Sequence, residues 1–123
     1  MRFILRELIK IRNRAVWSWN GFRHVAKTEG SLWQWIIANT ISASLTFFLP
    51  ITFTQQAMIL AGGILILAAE CFNTALERVV DDISAEQRPA AKQAKDAGSA
   101  AVAITAIATG VIWLVTIFDL LSR

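Results

Sequence analysis

Tyrosine is absent from the 123 residues, histidine and cysteine occur once each as His24 and Cys71, and Pro50 and Pro89 are the only prolines. A lone cysteine excludes an internal disulfide framework, so no redox compartment can be read from it. One histidine and one cysteine exclude a zinc-type ligand cluster. Six glycines and two prolines exclude collagen-like and low-complexity chains. Charge is scarce as well: 17% of residues carry it, against about a quarter in soluble domains, while 55% are hydrophobic. A chain this short cannot enclose that much apolar surface in its own core. The composition therefore predicts an integral membrane protein of one domain, residues 1–123, without internal repeats. Arg2, Arg6 and Lys10 break the first apolar stretch, which does not predict a cleavable leader.

Four segments follow from the pattern, giving an all-α membrane protein with three transmembrane helices behind an amphipathic interfacial helix. Within residues 1–30, Arg2, Arg6, Lys10, Asn13 and Arg14 recur three or four apart, with Phe3, Ile4, Leu5, Leu8, Ile9 and Ile11 filling the rest. Trp17, Trp19 and Phe22 follow. A basic stripe opposite bulky apolar residues predicts a helix lying in the membrane interface, the alternative being a segment packed on a partner subunit. The spans are expected over residues 32–49, 56–80 and 97–118, close to the roughly 20 residues that cross the hydrocarbon. A polar connection over residues 84–95 carries Pro89, expected in a loop or a first helical turn. Small residues (Gly98, Ser99, Ala100, Ala101, Ala103, Ala106) crowd the start of the last span and allow close helix approach. Seven of the twelve basic residues precede Gly30, and Arg78, Arg88, Lys92 and Lys95 surround the second connection. That asymmetry places the N-terminus and this connection in the cytoplasm, with the C-terminus outside. Nucleic-acid binding is not expected, because no known nucleic-acid module fits the sequence.

The chemistry-bearing residues interrupt an apolar helix. Glu70, Asn73, Glu77 and Asp81 share one helical face. An ionisable group at membrane depth is costly and usually faces a protein interior or polar cavity. Glu70 lies about 10 Å deeper than Glu77 at a rise of 1.5 Å per residue. Such a ladder suits hard cations held by oxygen, and it suits proton movement equally. Glu29, beside Lys27, reads more readily as a solvated helix-end carboxylate. Lys95 and Asp96 read equally as a pair at a helix start, where an acid favours the dipole. No Gly-rich phosphate loop is present, so any nucleotide chemistry relies on carboxylates and magnesium.

Glu70-Cys71-Phe72-Asn73-Thr74-Ala75-Leu76-Glu77-Arg78-Val79-Val80-Asp81 resembles the signature of the bacterial integral-membrane diacylglycerol kinases, Glu-x-x-Asn-(Ser/Thr)-Ala-(Ile/Leu)-Glu-x-Val-Val-Asp. The run from Ala94 to Val102 is similar to the family's second block, and Trp17 to Arg23 with Glu29 to its N-terminal block. The resemblance implies a homotrimeric lipid kinase with active sites between subunits, using ATP and Mg2+ to phosphorylate a membrane alcohol. It implies Glu70 as general base, with Asn73 near the reacting centre, and Glu29 and Glu77 as magnesium ligands. Nucleotide contacts would come from Lys10, Trp17, Glu29, Glu77, Glu86, Arg88, Lys95 and Asp96. The lipid would meet Arg14, Trp19, Arg23, Ser31, Trp35, Glu70 and Ser99, with Trp113 and Phe118 further along the last span. Four departures stand out: Trp33-Gln34-Trp35 replaces an Arg-Gln-Glu run, Thr28 an asparagine, Glu86-Gln87-Arg88 a Glu-Tyr-His loop, and Trp17 the family's tyrosine near the nucleotide. Diacylglycerol is the expected acceptor. The alternatives are undecaprenol, with the same chemistry on a polyprenol, and a proton- or cation-conducting subunit built on the carboxylate ladder.

Overall fold

The computed structural model describes all 123 residues as four helices. Helix α1 (Arg2–Thr28) is continuous and ends at Glu29, whose extended backbone (φ −115°, ψ 112°) is the only break before α2 (Gly30–Phe48). Pro50, which has no N–H to continue a helix, follows the end of α2. Thr52 then starts α3 (Phe53–Ile83) with a capping box: its hydroxyl accepts from the Gln55 N–H at 3.2 Å, and the Gln55 side chain accepts from the Thr52 N–H at 2.9 Å. Pro89 sits in the first turn of α4 (Pro89–Leu121), where its fixed φ suits the helix and its missing N–H costs nothing.

The helices run past the expected spans. Helix α3 begins at Phe53, three residues ahead of the span expected from 56, because the Thr52–Gln55 box satisfies its first amides. The polar connection expected over 84–95 shrinks to 84–88, since Pro89 opens α4 and Ala90, Ala91, Lys92, Gln93, Ala94 and Lys95 are good or fair helix formers. Polarity marks where a helix leaves the apolar layer, and here the helix continues past that point.

Helix α3 is the centre, packed on α4 along most of its length and on α2 over its first half, whereas α1 touches the others only near its C-terminal end. Its buried residues Ile59, Gly62, Gly63, Ile66, Glu70 and Thr74 form one stripe. Two glycines at its centre allow a neighbour on each side. A Cβ at Gly62 would lie 2.6 Å from Thr109 Oγ1 on α4, and one at Gly63 would lie 3.0 Å from Asn39 Oδ1 on α2. Asn39 donates to the Gly63 carbonyl at 2.9 Å. Trp113 on α4 donates to Ser42 on α2 at 2.8 Å, and Gln56 on α3 reaches Thr46 Oγ1 at 3.2 Å.

Only 12 of 123 residues are buried, and the apolar ones are Val25, Leu32, Ile59, Ile66 and Val102. Phe47, Phe48, Phe53, Ile104 and Leu114 are exposed on the helix flanks, so the medium around the helices is apolar. Helices α3 and α4 are each long and apolar enough to cross a membrane. Helix α2 falls short of the same apolarity because Gln34, Asn39, Thr40, Ser42 and Ser44 lie along it.

Gly62→Ala should lower the unfolding free energy by about 1–3 kcal/mol, the usual cost of overpacking, in an SDS titration from mixed micelles. Gly21→Ala, where the added methyl meets nothing within 4 Å, should be neutral or stabilise α1 by up to about 1 kcal/mol. Equal effects would show that the close approach at Gly62 does not set the α3–α4 spacing.

Candidate active site

The carboxylate ladder is graded by depth. Glu70 is 5% exposed, Asn73 and Glu77 are half-buried, and Asp81 is exposed. Glu70 borders a cleft of about 320 Å³ with Ser31 and Trp35 from α2, Asn73 from α3, and Ser99, Val102 and Ala103 from α4. It is buried because it occupies the same stripe that packs α3 on α4, four residues after Ile66. No other group of the chain donates a hydrogen bond to its carboxylate, which leaves both oxygens free to meet a ligand's hydroxyl.

One turn on, Asn73 ties the ladder together. Its Nδ2 donates to Glu77 Oε1 at 3.1 Å, while its Oδ1 is buried without a hydrogen-bond donor. That oxygen lies against the backbone of Gly98, so close that a Cβ there would stand well inside 3.0 Å. Glycine at 98 is thus what lets the amide occupy the seam and aim at Glu77. Glu77 keeps its second oxygen free, as does Glu29, whose Oε1 accepts from Arg78 at 3.2 Å. Two carboxylates with free, hard oxygen donors match how magnesium is held beside substrate phosphates, by one or two acids rather than a full protein cage. No group of three or more acidic, histidine or cysteine side chains gathers within one chain.

A second cleft, of about 750 Å³, opens where α3 passes to α4. Asp81, Ser84, Glu86, Arg88, Lys92, Lys95 and Asp96 line it. Four of the expected nucleotide residues, Glu86, Arg88, Lys95 and Asp96, are brought together here. Lys95 pairs with Asp81 at 2.6 Å and Lys92 with Asp96 at 2.5 Å. These pairs are largely exposed and individually weak, so a polyanionic ligand can exchange them. Lys92 was not singled out by motif; its i, i+4 spacing to Asp96 was the available signal.

Other expected residues lie elsewhere. Lys10 pairs with Glu7 at 2.7 Å on α1, and Arg14, Trp17, Trp19 and Arg23 are exposed on that helix, outside both clefts. Trp113 lines an apolar groove between α2 and α4 with Leu45, Leu49 and Ile117, about 21 Å along α4 from Ser99, and Phe118 is exposed. Sequence reasoning used Arg78 only for charge placement and Trp33 only as a departure, and named neither as a site residue. Trp33 Nε1 donates to the Ala26 carbonyl at 2.7 Å and closes the α1–α2 corner. On the far side of Glu70, the buried face of α3 holds Ile66, Gly63, Gly62 and Ile59, none of them ionisable.

The sequence profile described as prokaryotic diacylglycerol kinase matches residues 16–117. A diacylglycerol kinase of Pseudomonas aeruginosa is 35% identical over 102 residues, covering 81% of this chain and 83% of that protein. One of Haemophilus influenzae is 32% identical over 106 residues, covering 86% and 90%, and one of Escherichia coli K12 is 28% identical over 110 residues, covering 89% and 90%. The match spans both clefts and every helix, and the chain belongs to the prokaryotic diacylglycerol kinase family.

Proposed function

We propose that the chain transfers the γ-phosphoryl group of ATP to the hydroxyl of diacylglycerol, giving phosphatidic acid and ADP, with Glu70 as general base. The observation that carries this is the pair of clefts joined by one ladder: a charged cleft for a nucleotide at the α3–α4 turn, and a buried carboxylate with free oxygens at the lipid side. The acceptor hydroxyl enters beside Glu70, Asn73 and Ser99. Its oxygen attacks the γ-phosphorus, its proton passes to the Glu70 carboxylate, and the bond to the β–γ bridging oxygen breaks as ADP leaves. Lys95 exchanges Asp81 for phosphate oxygens and offsets their charge. Phosphoryl transfer needs little beyond such positioning and charge neutralisation. Glu29 and Glu77 would hold magnesium, which when bound neutralises phosphate charge.

The working unit is a homotrimer. In a single chain Glu70 borders an open cleft, and Lys10, Arg14, Trp17, Trp19 and Arg23 stand away from it, so a second copy is needed to wall the site and bring side chains to it. In that assembly α2 is the third span, its polar side chains turned to α3 and α4, with the α3–α4 turn on the cytoplasmic side where ATP is found. Mass measurement in nanodiscs should give three copies; a fully active monomer would overturn this part.

Three outcomes test the mechanism. Glu70→Gln should keep MgATP affinity while lipid phosphorylation falls by about 10² to 10⁴, so the loss appears in kcat rather than in KM for ATP. Collapse of nucleotide binding along with turnover would move Glu70 into the metal site and leave Asp96 as the next candidate base. Gly98→Ala should displace the Asn73 amide from Glu77 and lower turnover by roughly 100-fold, the scale of an ångström-sized misplacement, with helix content retained. Full activity in that variant would show that the Asn73–Glu77 contact is not required. Labelled ATP offered with diacylglycerol and undecaprenol should label the diacylglycerol; label on the polyprenol alone would change the acceptor and keep the chemistry.

A further inference from the structure

Arg78 occupies a position that the family signature leaves open, between Glu77 and Val79, and neither cleft includes it. Its guanidinium nonetheless makes the densest long-range contact on α1. Nη2 donates to Thr28 Oγ1 at 2.6 Å and to Glu29 Oε1 at 3.2 Å, and Nη1 meets His24 Nε2. His24 and Thr28 are four residues apart and share a face of α1, and Glu29 is the single extended residue between α1 and α2. One planar fork thus reaches three acceptors on either side of the corner, which a lysine's point charge cannot do. Besides this fork, the corner is tied by the Trp33–Ala26 hydrogen bond.

We propose that Arg78 is a positioning residue for Glu29: it fixes one carboxylate oxygen and the α1–α2 corner against α3, so that the other oxygen faces the turn of α3 carrying Glu77. This rests on the reading of Glu29 as a magnesium ligand. As a stabilising ion pair the contact counts for little, because the Arg78 and Glu29 side chains are 43% and 31% exposed. Orientation is a different matter. A carboxylate on the only non-helical residue between two long helices has no other group to set its direction. Groups that hydrogen-bond a metal ligand from behind commonly change metal affinity by about 10- to 100-fold when removed.

The test uses the full-length protein in lipid nanodiscs, with Mn2+ and a non-hydrolysable ATP analogue as probes and bound Mn2+ read by electron paramagnetic resonance. Wild type, Arg78→Ala, Arg78→Lys, Glu29→Gln and the Glu29→Gln/Arg78→Ala double variant are compared. Arg78→Ala should weaken Mn2+ binding by about 10-fold or more and raise KM for the metal–nucleotide more than it lowers kcat. Arg78→Lys should recover part of that affinity. The double variant should bind no more weakly than Glu29→Gln alone, because a positioning residue has nothing left to act through. Wild-type affinity in Arg78→Ala, or losses that multiply in the double variant, would overturn the proposal while leaving Glu29 a ligand. Wild-type affinity in Glu29→Gln would instead remove the ligand reading, and the positioning role with it. If the alanine variant fails to assemble, Arg78→Lys decides: wild-type affinity there would show that the three-way fork is not needed.

Discussion

The seam between α3 and α4 governs the rest of the molecule. Two contacts without room for a side chain fix it, Gly62 against Thr109 and Gly98 against Asn73. They lie eleven residues apart on both helices, running in opposite directions, as antiparallel neighbours require. Eleven residues make three turns of an α-helix, so both contacts fall on the same face of each helix and hold the axes close over about 16 Å. Glu70 sits between them on α3. Its burial follows from the seam, because a side chain on that stripe is covered by α4 except where the cleft opens. The register that packs the helices also carries Asn73 to the backbone of Gly98 and from there to Glu77.

Polarity inside the bundle is handled locally. Thr109 and Thr116 are buried but return their hydroxyl hydrogens to Thr105 and Ile112 carbonyls one turn back, leaving methyl groups to pack. Asn39, Ser42 and Thr46 on α2 each meet a group on α3 or α4, in three successive layers. These residues make α2 look too polar to cross a membrane by composition, and the same residues explain why it packs: each polar group turned inward finds a partner, and the outward face keeps Ile37, Ile41 and Phe48. Hydropathy averages over both faces.

The legible part of the sequence was the part encoded in short spacing. Glu70, Asn73, Glu77 and Asp81 share a face by periodicity alone, and the structure grades them from buried to exposed along that face. Charge-free runs located the spans, and of the two places the sequence allowed for Pro89, a loop or a first helical turn, the structure takes the second, so α4 begins eight residues before the charge-free run. The Thr52–Gln55 box and Pro89 were the local signals that set the true starts. Arg78 was not legible. Its partners stand about fifty residues earlier, and no periodicity relates an arginine on one helix to the corner between two others. Gly98 was read as one of many small residues; that it alone faces Asn73 depends on the antiparallel register, which only the packed helices define.

The two clefts divide the ladder by depth, and under the proposed mechanism that division answers a difficulty in the reaction. ATP is confined to water and a diacylglycerol to the lipid layer, so neither substrate can travel to the other. Seven residues of helix, about 10 Å, separate Glu70 from Glu77, and the seam keeps that interval rigid. A nucleotide extended from the charged turn toward Glu77 would bring its terminal phosphate to the layer in which the acceptor hydroxyl lies, beside Glu70. Burying the carboxylate carries a desolvation cost, and the buried Asn73 Oδ1, with no donor, adds to it. Both lie where the α3–α4 seam is tightest. The packing that bears this cost is the same packing that holds the interval between Glu70 and Glu77.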